Sequence, residues 1–182
     1  MDRNSAVDTP ARGAENIKGR MNDGESHPNI RLGHVHLRVA DLARGTAFYR
    51  DVLGFDVTAY GPDFGLPGAA FLSSGGYHHH IGLNTWHSEG GTPPPEGHTG
   101  LYHLALLYPN RRELGRAVRR LLDHGYPINV AEDHGATVSV YISDPDGNGI
   151  ELYYDRPRSE WFDPQGNPVL KADPFDPLEL LE

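Results

Sequence analysis

Two fixed spacings pick out the residues that could do chemistry in this chain. His34 and His103 are 69 positions apart, and so are Gly82 and Glu151. Each histidine stands in an alternating stretch. In Gly33-His34-Val35-His36-Leu37-Arg38-Val39 the apolar residues share one face and His34, His36 and Arg38 the other, because a strand sends successive side chains to opposite sides. Around Tyr102–Leu107, Leu104 and Leu106 oppose His103. At the last such stretch, Ile150, Leu152 and Tyr154 oppose Glu151 and Tyr153. Two histidines and a glutamate therefore lie on the polar faces of three strands. Curved into a cup, those faces would set His34, His103 and Glu151 around one metal ion. Two histidines and one carboxylate on one side of a metal leave several positions open. Mononuclear non-haem iron(II) oxygenases use that arrangement when substrate and O₂ both need a coordination site. There is no cysteine, so thiolate sites and disulfides are excluded and a metal must sit on nitrogen and oxygen.

The elements that would position these residues come twice. Asp41 caps a helix with Leu42, Ala47, Phe48, Val52 and Leu53 on one face, and Gly54 ends it. Phe55–Tyr60, Ala69–Leu72 and His78–Asn84 read as short strands between glycine turns. Residues 85–100 form a breaker-rich loop around Pro93-Pro94-Pro95, and loops of that length are usually lids or linkers. Tyr102–Leu107 is then a strand and Arg111–His124 a helix with Leu114, Ala117, Val118, Leu121 and Leu122 inward. Ile128–Ala131, Thr137–Ser143 and Ile150–Tyr153 are strands. The chain reads β-α-β-β-β twice, so the expected fold class is α+β: two βαβββ modules forming a half-open mixed β-barrel around a metal site. The expected organisation is a flexible N-terminal arm at 1–29 and a paired-module domain at 30–157. Its modules lie at about 31–85 and 101–156, with a Pro- and Asp-rich C-terminal tail at 158–182.

Composition narrows the function classes. Apolar residues are 37% and charged residues 23%, as in an ordinary soluble domain. A formal net charge of −9 opposes the basic face that nucleic acid requires. No apolar run approaches a membrane span, and no signal peptide is read, so a cytoplasmic location is expected. Eleven histidines stand out, since histidine is the commonest metal ligand and a proton shuttle near neutral pH.

Specific stretches resemble a known family. Gly33-His34-Val35-His36-Leu37, Phe48-Tyr49-Arg50-Asp51-Val52-Leu53-Gly54, Leu101-Tyr102-His103-Leu104 and Asp144-Pro145-Asp146-Gly147-Asn148-Gly149-Ile150-Glu151-Leu152 are similar to motifs of the vicinal oxygen chelate superfamily. That superfamily is also called the glyoxalase/bleomycin resistance/dioxygenase family. The resemblance covers roughly residues 31–157 and speaks to fold before function. Within the superfamily the chain looks most like one-domain type I extradiol (catechol 2,3-) dioxygenases. His78-His79-His80-Ile81-Gly82-Leu83 resembles the strand whose second histidine is that family's acid–base residue, which implies this role for His79. Val138-Ser139-Val140-Tyr141 resembles a strand whose tyrosine precedes the glutamate ligand by ten residues, as Tyr141 precedes Glu151. A further family histidine precedes that tyrosine, and His134 is its candidate, although its interval of seven residues is two fewer than the family pattern.

The resemblance implies Fe(II), with Mn(II) as the alternative metal, O₂ as co-substrate and a small aromatic diol as the partner molecule. His79 would take a catechol proton, Tyr141 would hydrogen-bond the bound oxygen, and His134 would stabilise developing charge. His36 and Arg38 share the cup face and are the candidate substrate contacts. Specificity is expected from the 61–68 and 85–100 loops and the tail. Oligomeric state stays open, since one-domain members of the family often form homodimers or larger homo-oligomers. The alternatives are another metal-dependent enzyme on the same site, a glyoxalase-like isomerase or thiol transferase, or a metal-free drug-binding protein. Gly82, where glyoxalase-like members carry a further carboxylate ligand, argues against the isomerase; a complete ligand set argues against the binder.

Overall fold

The structure is a computed structural model that describes His27 and residues 29–182, and Gly33–Glu182 form one compact unit. The arm expected at 1–29 lies almost wholly outside the described residues. The first module contains β1 (Val35–Arg38), α1 (Leu42–Ala47), β2 (Asp56–Tyr60), β3 (Ala69–Ser73) and β4 (Ile81–Asn84). The second contains β5 (His103–Leu107), α2 (Arg111–Asp123), β6 (Val130–Gly135), β7 (Thr137–Ser143) and β8 (Gly149–Asp155). A further strand, β9 (Leu170–Pro174), follows.

The two sheets have the same plan. The first runs β1-β4-β3-β2 and the second β5-β8-β7-β6-β9. In each, the strand before the helix pairs in parallel with the last strand of the module, and every other pairing is antiparallel. Neither sheet closes on itself, which is the half-open α+β architecture of paired βαβββ modules. The repeat extends to register: His36 faces Gly82 in the first module and Ala105 faces Glu151 in the second, positions related by the same 69-residue offset.

The strand faces follow the alternation. Leu37, Val39, Leu104, Ile150 and Leu152 are buried in the core, while His34, His36 and Arg38 are exposed and His103 and Glu151 half-buried. α2 begins where the Asn110 side chain accepts the Glu113 N–H, satisfying one of the helix's orphan donors. It buries Leu114, Ala117, Val118 and Leu121; each such leucine contributes about 1.5–3 kcal/mol. α1 is capped by Asp41, whose carboxylate accepts the Arg44 N–H.

Four details depart from the alternation-based reading. The helix expected through Leu53 is α-helical only to Ala47 and continues as a π-turn over Phe48–Val52. That widening carries Tyr49 fully inward, where its hydroxyl donates to Asp144 at 3.1 Å. β4 starts at Ile81, so the histidine run precedes the strand. β6 starts at Val130 and runs to Gly135, taking in His134. The tail supplies β9, paired to β6, and a final 3₁₀ turn whose Leu180 is buried.

Asp144 explains the turn between β7 and β8. It accepts from the backbone N–H groups of Asp146 and Asn148 and from the Asn148 side chain. Asp146 in turn accepts from the Ala40 N–H at 3.0 Å and pairs with Arg44 at 2.6 Å, joining the end of β1 to the start of β8.

β9 is fastened by Asp133. This carboxylate meets Arg156 at 2.6 Å and Lys171 at 3.1 Å and accepts the Gly135 N–H. Burial alone would raise its pKa, but the Gly135, Lys171 and Arg156 contacts outweigh burial and hold it below the ordinary carboxylate value. A carboxylate whose folded pKa is depressed contributes stability above its unfolded pKa, and loses it as pH falls through the folded value. Asp133→Asn is therefore expected to cost about 1–3 kcal/mol at neutral pH. The difference from wild type should shrink in urea titrations well below pH ~4. An equal deficit in strong acid would contradict the assignment.

Candidate active site

The best-assembled part of the site is built on β5, β7 and β8. Register places Tyr141 opposite Glu151 and Ala105 opposite Glu151 on its other side, so Glu151 is the middle of a three-strand platform. One carboxylate oxygen, Oε1, accepts from the Ser139 hydroxyl at 2.6 Å and stands 3.1 Å from the Tyr141 hydroxyl. The other, Oε2, faces His103 Nε2 at 3.1 Å. With bonds of about 2.1 Å, adjacent donors of one metal ion stand about 3 Å apart, so this pair has the separation of two neighbouring ligands. The other nitrogen of His103, Nδ1, is buried without a hydrogen-bond partner.

Tyr141 links Glu151 to His134. Its hydroxyl is 2.8 Å from His134 Nε2, and His134 Nδ1 is 2.9 Å from the Lys171 carbonyl. The Tyr141 pKa is pushed up to about 12, by burial first and then by the Glu151 carboxylate, so the phenol keeps its proton at neutral pH. His103, Tyr141 and Glu132 line a cavity of about 450 Å³ together with Tyr102, within the range that takes a small aromatic ligand.

The first module gathers a second group. His34 and His79 pack with ring centroids 4.5 Å apart and planes tilted by 50°, and the Phe71 ring centroid lies 5.0 Å from that of His79. His79 Nδ1 is 2.8 Å from His78 Nδ1. Burial, and then the neighbouring His34, His78, His36 and His80, lower the His79 pKa, which favours the neutral ring. His80 instead reaches Ser73 Oγ at 3.1 Å. Strict alternation back from Gly82 would have put His80 on the cup face; because the ladder begins only at Ile81, His79 is free to take that side. His36 packs between Phe71 and Trp86. Its ring lies 3.0–3.2 Å from where a Cβ on Gly82 would stand, so the imidazole fills the space that a first-module carboxylate would need. His36 and Arg38 also line a recess of about 770 Å³ with His87, Pro93, Pro94 and Leu101, which brings the 85–100 loop to the candidate substrate contacts.

The predicted residues thus fall into two groups: His103, Glu151, Tyr141 and His134 in one, and His34, His79 and His36 in the other. The residue types suit iron(II), and His103 Nε2 and Glu151 Oε2 stand 3.1 Å apart. His34 lies with His79 instead, and among the described residues no group of three or more His, Asp or Glu side chains is placed to hold a metal ion. Ser139 is a site residue the sequence reading passed over. Its signal was present: it is two residues before Tyr141 on the same face and diagonal to Glu151.

Fold and site together define a paired βαβββ protein with a histidine- and carboxylate-bearing sheet face. The sequence profile of the Glyoxalase/Bleomycin resistance protein/Dioxygenase superfamily matches residues 31–152, and the chain belongs to that superfamily. It is 39% identical over 157 residues to a catechol-2,3-dioxygenase of Bacillus subtilis (strain 168), an alignment covering 86% of this chain and 53% of that protein. The chain therefore spans about half the length of that relative. It is also 32% identical over 130 residues to a lactoylglutathione lyase of Salmonella typhimurium, covering 68% of this chain and 91% of the lyase. A solved glyoxalase/dioxygenase from Nostoc punctiforme matches with a TM-score of 0.59 at 22% identity, over 75% of this chain and 99% of that one, a likeness of fold. No helix among the described residues is long and apolar enough to cross a membrane.

Proposed function

We propose that this chain is an Fe(II)-dependent extradiol dioxygenase that opens a catechol-type ring with O₂. The observation that carries the reading is the Glu151 platform. One carboxylate oxygen is held by Ser139 and faces Tyr141, leaving the other beside the His103 imidazole. The similarity to a catechol-2,3-dioxygenase supports the substrate class. His34, His103 and Glu151 are the proposed ligands, and bound iron(II) would supply coordination sites for the diol and for O₂. Among the described residues the three donors do not converge on one point.

His79, held in its neutral form beside His34, is suited to accept a hydroxyl proton from an incoming catechol. Tyr141, protonated at neutral pH, can turn its one hydroxyl proton from His134 to a substrate oxygen that enters the cavity it shares with His103. His134 bonds the Tyr141 hydroxyl from behind, so it can receive or return that proton. Arg38 and His36 face the recess under the 85–100 loop and are the proposed contacts for ring substituents.

The similarity to a lactoylglutathione lyase favours a second reading, a glyoxalase-like isomerase. Gly82 opposes it, since the first module offers no carboxylate at that position and the His36 ring packs against its backbone. The test is anaerobic Fe(II) loading of the purified chain, then O₂ uptake over a panel of catechols with absorbance followed for yellow ring-opened product. Oxygen uptake with a matching product is expected. No uptake with any catechol, together with zinc- or nickel-dependent hemithioacetal isomerisation, would transfer the chain to the isomerase class.

A further inference from the structure

We propose that the C-terminal segment is part of the active site through a backbone atom: the Lys171 carbonyl fixes the tautomer of His134, leaving its Nε2 lone pair aimed at the Tyr141 hydroxyl. The tautomer follows from the geometry alone. Its catalytic consequence rests on the reading given above.

A carbonyl oxygen only accepts, so the 2.9 Å contact between Lys171 O and His134 Nδ1 requires the proton on Nδ1. In a neutral ring Nε2 is then bare, because the hydrogen bond at one ring nitrogen decides the state of the other. The group in hydrogen-bond contact with Nε2 is the Tyr141 hydroxyl at 2.8 Å, which has one proton to give; the Glu132 carboxylate stands beyond that range at 3.7 Å. Its other neighbour, Glu151 Oε1, is farther at 3.1 Å and already accepts from Ser139 at 2.6 Å. The consistent arrangement is a chain of donors: His134 Nδ1–H to Lys171 O, Tyr141 Oη–H to His134 Nε2, and Ser139 Oγ–H to Glu151.

The local fold serves this geometry. The pairing of β6 with β9 shifts register between Asp133 and Gly135, so His134 sits at an irregularity in the ladder, and bulges are known to re-aim a side chain beside a site. Asp133 immediately before it grips Arg156 and Lys171, which fixes the height of β9 at the Lys171 carbonyl. Gly135 immediately after it has φ +86° and lets Val169 approach: a Cβ there would stand 2.5 Å from Val169 Cγ1. Both neighbours of His134 thus hold the C-terminal segment against it.

The test is long-range ¹H–¹⁵N NMR of the full chain without metal, with the His134 signals identified by their loss in His134→Gln. The pH is chosen so that the ring is neutral by its own nitrogen shifts. A proton-bearing Nδ1 and a bare Nε2 are expected; a predominant Nε2–H form would overturn the proposal. Gly135→Ala should push Val169 and Lys171 away and remove most of the Nδ1–H population. Unchanged Nδ1–H in a folded Gly135→Ala would count equally against it. Should that variant not fold, Tyr141→Phe decides. Persistence of Nδ1–H is expected if Lys171 sets the tautomer, and a switch to Nε2–H would assign control to Tyr141 instead. In the ring-cleavage assay, Gly135→Ala should lower kcat by about 10–100-fold, the usual effect of losing an orienting partner, with KM little changed. The expected tautomer in a chain inactive toward every catechol would sustain the positioning and sink only the dioxygenase reading.

Discussion

Replacing His103 by alanine is expected to strip most of the bound iron from the Fe(II)-loaded protein and, with it, the ring-cleavage activity. His103 Nε2 and Glu151 Oε2 stand 3.1 Å apart, and removing the imidazole leaves the carboxylate without its neighbouring donor. The drop in affinity should exceed the ~10–100-fold that outer partners of a metal ligand typically contribute. Iron per chain, measured after desalting, checks it. Glu151→Ala should behave alike. His34→Ala is the more searching variant, because His34 packs against His79 and is not gathered with the other two donors. Iron loss equal to that of His103→Ala would establish it as the third ligand. Full iron in His34→Ala would place the ion on His103, Glu151 and a donor other than His34.

His79→Ala is expected to retain its iron and still bind catechol, while the ring-cleavage rate falls by about 10²–10⁴-fold, the worth of a positioned acid–base group. The imidazole lies against His34 and Phe71, next to a proposed ligand without replacing it. His80→Ala is the control: its ring is engaged with Ser73, so it should change stability before it changes rate. Single-turnover rates and iron content on both variants separate these outcomes. A rate loss confined to His80→Ala would move the role to His80, and iron loss in His79→Ala would make His79 a ligand.

Much of this architecture was legible in residue order because its signals are local. Alternation fixed which faces of β1, β5 and β8 enter the core, and Leu37, Leu104, Ile150 and Leu152 are buried accordingly. The 69-residue offset foresaw a repeated βαβββ module, and the structure extends the repeat to the paired positions 36/82 and 105/151. Resemblance singled out Tyr141, His134 and Glu151 by their order in the chain, and the structure links them by hydrogen-bond contacts. What escaped depends on distant partners. Tyr49 turns inward only because a π-turn meets Asp144, 95 residues away. β9 (Leu-Lys-Ala-Asp-Pro) is short and exposed throughout, so no buried face marks it; it is a strand because β6 offers an edge and Asp133 offers a charge. The side of the chain on which His79 falls was beyond an alternation rule, since the ladder that would enforce the rule starts two residues later.

The packing of His36 over Gly82 has a consequence for how such sites diverge. The two modules divide the same volume in opposite ways: a ring on one strand facing bare backbone in the first, a methyl facing a carboxylate in the second. A side chain at 82 meets the exposed His36 imidazole, which must give way before residue 82 can grow. A symmetric carboxylate donor at 82 therefore requires the side chain at 36 to shift or shrink. The two modules thus share a plan of strands but not of side chains at this pair of positions.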